Sequence, residues 1–236
     1  MTNLNQNGRS MIEMLGVLAI IGVLSVGGIA GYSKAMMKFK TNKTIDQIAM
    51  TVTNIRTLYA QQPNYDITTT AAWDMGVVDD AMKGTAATGT GATGFNLKNA
   101  FNGPVYIESG KSGAVGESGN GAFIVTFAGL PREACVAIAT NDWGSNYSSG
   151  LLGVGAGHGT AASGQTPAAD VAKAQSPNCY VVGGNTPSAD TSDKYTNLTT
   201  NIHCVSATDS GPFLVSDAAT ACECPGNNCF VTFKYY

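Results

Sequence analysis

Gly8-Arg9-Ser10-Met11-Ile12-Glu13-Met14-Leu15-Gly16-Val17-Leu18-Ala19-Ile20-Ile21-Gly22-Val23-Leu24-Ser25-Val26 stands near the start of a 236-residue sequence and decides how the rest is read. From Met14 to Tyr32 no residue carries a charge. A transmembrane helix needs about 20 apolar residues, so this run is long enough to cross a bilayer. Glu13, at its edge, is the anomaly. A charged group inside such a segment costs on the order of 2.5–3.5 kcal/mol on insertion scales, and one that is kept has a partner or a task.

The helical pattern continues beyond the apolar run. Ile45, Ile48, Val52, Ile55 and Tyr59 recur at alternating helical spacings and form one apolar stripe, with Asp46 and Arg56 off it. Gln61-Gln62-Pro63-Asn64 ends the pattern, because proline cannot continue the hydrogen-bond ladder and pushes its predecessor out of the helical region. A helix from Ser10 to Gln61 is about 75–80 Å long at 1.5 Å per residue, far more than a bilayer needs. The striped half is therefore expected to pack on the chain's own C-terminal domain.

Composition bounds the remainder. Charged residues make up only 12% of the chain, about half the usual share, and 29 residues are glycine. A net charge of −3 supplies no basic field for wrapping nucleic acid. Six cysteines, Cys135, Cys179, Cys204, Cys222, Cys224 and Cys229, all lie in the second half. An even count in an exported chain reads as disulfides, which six cysteines can connect in about 15 ways. The rival reading, zinc held by Cys222, Cys224 and Cys229 with His203 or Cys204, lacks a standard ligand spacing. Lys34, Lys38, Lys40 and Lys43 follow the apolar run and only Arg9 precedes it, so charge alone would place the C-terminal side in the cytoplasm, a signal that the N-terminal motif and the cysteines outweigh.

Within the C-terminal part, Trp73, Met75, Val77 and Val78 read as a short element covering the core, and Gly84–Gly94 as a flexible loop. Gly103–Glu108 and Ala122–Phe127 read as antiparallel strands, and Pro131 opens a helix through Ala139. Residues 144–176 read as an exposed loop. Gly153–Gly159 inside it has no strand before it and no helix N-terminus after it, which a phosphate-cradling loop requires. Cys179–Val182 and Cys229–Tyr236 read as further strands. With two histidines, His158 and His203, and no recognisable nucleophile or acid–base pair, nothing points to catalysis, a cofactor or a metal. Asp79-Asp80 reads as a solvated turn in preference to a calcium site.

A short polar leader, Gly8, four residues, Glu13 and then an apolar helix resemble a type IV prepilin. The resemblance implies cleavage between Gly8 and Arg9 by a prepilin peptidase, N-methylation of Arg9, and pairing of Glu13 with the terminal amine of a neighbouring subunit. Most family members carry Phe or Met where this chain has Arg9, and the leader Met1–Asn7 has no basic residue. Gly27, Gly28 and Gly31 occupy the place where many pilins carry a helix-breaking proline. Each glycine costs about 1 kcal/mol in a helix interior, so this is a soft spot, with close packing through Gly16, Gly22 and Gly27 as the equal alternative. Asn-Ala-Phe-Asn-Gly-Pro from Asn99 to Pro104, two strands and a helix opening Leu130-Pro131 with Cys135 resemble the type IVb subclass over Lys98–Trp143. That resemblance implies a bridge from Cys135 to Cys204 or to one of the Cys222–Cys229 group.

The expected architecture is therefore α+β: a leader over 1–8, a long helix over 9–62 whose 14–32 part is transmembrane or filament core, and a globular domain over 63–236 with an antiparallel sheet and disulfides. The resemblance implies a pilus subunit and not an enzyme. Its partners would be other copies of itself, the peptidase, the assembly platform and an outer-membrane secretin. It would lie in the inner membrane first and in a surface filament afterwards, serving adhesion, aggregation, motility, DNA uptake or conjugative contact. A minor pilin or type II secretion pseudopilin is the alternative, and a single-span anchored extracytoplasmic binding domain or enzyme the second.

Overall fold

The computed structural model describes residues 11–86, 95–110, 120–144, 149–159, 198–204, 212–224 and 226–236, and divides into two compact units, Met1–Phe39 and Lys40–Tyr236. Gly8, Arg9, Cys179 and the strand expected at Cys179–Val182 lie outside the described residues.

One helix, α1, runs from Met11 to Leu58. It closes three residues before the expected Gln61, at a turn in which Gln62 N donates to Tyr59 O (2.9 Å) ahead of Pro63. Its buried residues are Thr41, Thr44, Gln47, Ile48, Thr51, Val52 and Ile55. Ile45 and Tyr59, at the edge of the expected stripe, are only partly buried. The buried face is thus rotated toward threonines. Burial is tolerated at Thr44 because its hydroxyl donates back to Lys40 O (2.9 Å), and at Thr51 because its hydroxyl meets Met82 Sδ (3.9 Å).

Short elements follow: α2 (Thr69–Asp74), a 3₁₀ turn (Asp80–Met82), β1 (Lys83–Ala86), β2 (Phe95–Lys98), β3 (Pro104–Gly110), β4 (Ala122–Leu130), α3 (Arg132–Ala139), β5 (Leu151–Gly159), β6 (Leu198–Cys204), α4 (Val215–Ala221) and β7 (Cys229–Tyr235). The seven described strands form one antiparallel sheet in the order β1-β2-β3-β4-β7-β5-β6. Two expectations need correction. Lys83–Ala86 is a strand, so only part of Gly84–Gly94 connects β1 to β2.

Leu151–Gly159, expected to be exposed loop, is an interior strand paired on both sides. Glycine weakens a strand in general. Here Gly153, Gly155 and Gly157 sit opposite Lys234, Thr232 and Phe230 of β7, while Val154 and Ala156 turn to the core. Small residues against large ones let this part of the sheet close.

Both faces of β4 and β7 are buried. On one face Phe123, Val125, Phe127, Val231 and Phe233 join Ile48, Val52 and Ile55 of α1 in the main core. On the other, Thr126 Oγ1 donates to Thr232 Oγ1 (2.9 Å), so the buried hydroxyls satisfy each other across the ladder. Tyr106, on this second face, has its hydroxyl pKa pushed up to about 12, first by burial and then by Glu108.

The Asn99–Pro104 turn joins helix to sheet. Asn99 Oδ1 accepts from Phe101 N (2.9 Å) and Gly103 N (3.1 Å), and Asn99 Nδ2 donates to Ala128 O (2.7 Å). Gln47 Oε1 accepts from Ala100 N (3.2 Å), tying α1 to the same turn. At Gly103 an added Cβ would lie 2.0 Å from Ala128 O and 2.8 Å from Gly129 Cα. Gly129 itself has φ +70° and sits where β4 bulges between Ala128 and Leu130.

Two outcomes test this packing. Gly103→Ala is expected to destabilise by about 3 kcal/mol, the upper end of overpacking penalties, because the obstructing atoms are backbone; urea unfolding of the detergent-solubilised subunit reads it. A tyrosine in the unfolded chain ionises near pH 10, so Tyr106 contributes its full stability below that pH and loses it as pH rises toward about 12. Unfolding free energy should fall faster over that window in the wild type than in Tyr106→Phe.

Candidate functional site

Two features of the chain concentrate unusual chemistry, and neither is a catalytic cleft. The first is the N-terminal unit. Ile12, Leu15, Leu18, Ile20, Val23, Leu24, Val26 and Ile29 are each more than 60% exposed, and none of the candidate membrane window is buried. Contiguous apolar surface on this scale is rare on soluble monomers and marks a protein- or membrane-contact surface. Glu13 lies in the first turn of α1, where a carboxylate is favoured by the helix dipole. Helical hydrogen bonding runs without a break through Gly27, Gly28 and Gly31. An added Cβ at Gly16, Gly22, Gly27, Gly28 or Gly31 meets nothing within 4 Å, so the subunit's own packing does not require these glycines.

The second feature is a knot of cysteines where α3, α4 and β7 meet. Cys135 on α3 bonds Cys222, which caps α4, with a Cα–Cα distance of 5.9 Å across 87 residues of chain. Cys224 bonds Cys229 at the start of β7, with a Cα–Cα distance of 5.5 Å. In the chain-entropy account the longer bridge stabilises by about 4–5 kcal/mol. His158 is a structural neighbour of this knot: its Nδ1 lies 2.9 Å from Ala221 O. Cys204 and His203 belong to β6. Among the described residues Cys135, Cys222 and Cys229 form the one metal-sized group, and all three sulfurs are in disulfides.

Other candidates dissolve on inspection. Asp79 caps the 3₁₀ turn through Ala81 N (3.1 Å), and Asp80 pairs with Lys83 (2.6 Å), whose hydrogen bond and charge hold the Asp80 carboxyl below its usual range. These are turn-stabilising contacts. A groove of about 560 Å³ is lined by Val52, Thr53, Arg56, Thr57, Ala60 and Tyr65. Its one cation, Arg56, already donates to Ser149 O (2.6 Å), and it holds no acid–base pair. Gln47, which ties α1 to the Asn99–Pro104 turn, went unread in the sequence because an isolated polar residue on an amphipathic helix gives no sign of facing inward.

Comparison with known proteins completes the picture. A solved type IVb pilin from Salmonella typhi is similar at 18% identity, covering 82% of this chain and 98% of that one, with a TM-score of 0.46. TcpA, a type IV pilin from Vibrio cholerae El Tor biotype, is similar at 15% identity, covering 84% of this chain and 99% of that one, with a TM-score of 0.47. No curated protein matches. The bundlin family model matches residues 34–196, well over half the chain. On that match, and with its long helix against a disulfide-bonded antiparallel sheet, the chain belongs to the bundlin family of type IVb pilins.

Proposed function

We propose that this pilin is a filament-forming subunit that polymerises through the N-terminal half of α1. The observation that carries the reading is the exposed apolar surface of residues 11–32 with one carboxylate, Glu13, in its first turn. Before assembly the bilayer covers that surface; in the filament the helices of neighbouring copies do. Burying Glu13 as a charged carboxylate calls for a cation beside it. Cleavage between Gly8 and Arg9 supplies one, the new amino terminus of a neighbour.

On this reading residues 1–8 are a leader, 9–62 the assembly helix and 63–236 the globular domain on the filament surface. The chain passes from the inner membrane to an extracellular pilus, with the peptidase, the assembly platform and the secretin as successive partners. Its contribution is structural. The globular surface would then set what the filament contacts, whether another cell, a substratum or DNA.

Three measurements test it. The mature protein should begin at an N-methylated Arg9 by mass spectrometry; retention of Met1 would sink the reading. Glu13→Val should leave the subunit in the inner membrane at normal abundance and lower surface filaments at least tenfold, since an uncompensated terminal amine then has to be buried. Filaments in normal number from that variant, seen by electron microscopy of sheared fibres, would remove the role given to Glu13.

A further inference from the structure

Three of the four described disulfide sulfurs are closed off from solvent. Cys135, Cys222 and Cys229 are each 0% exposed, while Cys224 is partly exposed beside the exposed residues Glu223 and Gly226. The sulfurs of Cys135, Cys222 and Cys229 all lie within 4.8 Å of one another, although Cys229 is bonded to Cys224 and not to either of them. Cys229 Sγ also lies 3.4 Å from the Cys222 carbonyl oxygen, beside the neighbouring bridge. A sulfur of one disulfide therefore rests against a second disulfide that no solvent-borne thiol can reach directly. Thiol–disulfide exchange needs an attacking thiolate, access to a sulfur and a leaving thiolate.

We propose that the Cys224–Cys229 bridge is a relay through which thiol–disulfide exchange reaches the buried Cys135–Cys222 bridge. In the reducing direction a dithiol reductant, as thiolate, enters at the part-exposed Cys224 and attacks its sulfur. The Cys224–Cys229 bond breaks, its electron pair leaves on Cys229, and the reductant's second thiol releases Cys224 and closes the oxidised reductant. The Cys229 thiolate then attacks one sulfur of the Cys135–Cys222 bond and displaces the other as a thiolate. The Cys224 thiolate finally attacks Cys229, re-forming the Cys224–Cys229 bond and releasing the remaining core sulfur. Two electrons and two protons have passed from the reductant to Cys135 and Cys222, and the outer bridge is restored. Run backward with a disulfide oxidant, the same steps oxidise the core pair from outside.

The relay and a purely structural bridge predict opposite signs. Removing a structural crosslink loosens the fold and speeds reduction of the bond beneath it. Removing the relay slows it. The full chain in detergent micelles without denaturant is treated with dithiothreitol, quenched with acid, alkylated and mapped residue by residue. In Cys224→Ser/Cys229→Ser the Cys135–Cys222 bond should be reduced roughly tenfold or more slowly than in the wild type, because the point of entry and the internal thiolate are both gone. An equal or faster rate overturns the proposal. Should that double variant fail to fold, Cys224→Ser alone decides: held at mildly alkaline pH, its single freed thiol should spread over Cys229, Cys135 and Cys222. A thiol confined to Cys229 after prolonged incubation overturns the proposal as surely.

Discussion

The pairing of β7 between β4 and β5 is the interaction on which the rest of the globular unit depends. From Cys229 to Tyr235 every residue is buried, and each face of the strand serves a different purpose. Phe233 and Val231 complete the core that receives Ile48, Val52 and Ile55 of α1. Thr232 and Lys234 lie on the opposite face, where Thr232 bonds Thr126 across the ladder. Because β7 bridges strands from Ala122–Leu130 and Leu151–Gly159, the sheet cannot close until segments about a hundred residues apart have met. Such long-range pairing is slow to form, and the Cys135–Cys222 bond holds α3 and α4 together beside it.

The aromatic side chains extend the same logic. Tyr59, Tyr65, Phe123 and Tyr235 form a chain of ring contacts, the first two tilted and the last stacked, with centroid separations of 5.4, 4.9 and 5.8 Å. This path runs from the turn after α1 into the β4–β7 pair. Trp143 meets Phe233 edge-on at 4.8 Å, accepts a bond from the Tyr235 hydroxyl and donates to Ile138 O. Burial drives the Tyr235 hydroxyl pKa well above its ordinary value, against a smaller opposing pull from Arg56. The end of α1, the end of α3 and the end of β7 are thus locked by one aromatic cluster.

How far this could be read beforehand differs from element to element. The two halves of α1 were legible, since an uncharged run and a spaced stripe are direct statements of environment. The threonine face was not, because a buried threonine that bonds its own helix looks in sequence like one facing water. The strands at Pro104–Gly110 and Ala122–Leu130 announced themselves through β-branched and aromatic residues. Strand β5 did not. Its alternation of glycine with Val154, Ala156 and His158 has the right period, but glycine also marks loops, and only the bulk of Phe230 and Lys234 across the ladder decides between them. The cysteine partners were legible only as a group: spacing cannot tell Cys222 from Cys229 when both sulfurs end within 4.8 Å of Cys135.

The helical glycines carry a last consequence. Gly16, Gly22, Gly27, Gly28 and Gly31 have empty space where a side chain would stand, while Gly103 and Gly129 are pressed against backbone. The two sets answer to different judges. Drift at Gly103 or Gly129 is policed inside each molecule, at the moment it folds. A side chain added at the helical glycines passes that inspection unnoticed, because it meets no atom of the described subunit; under the assembly proposed above, its effect would first be felt between subunits.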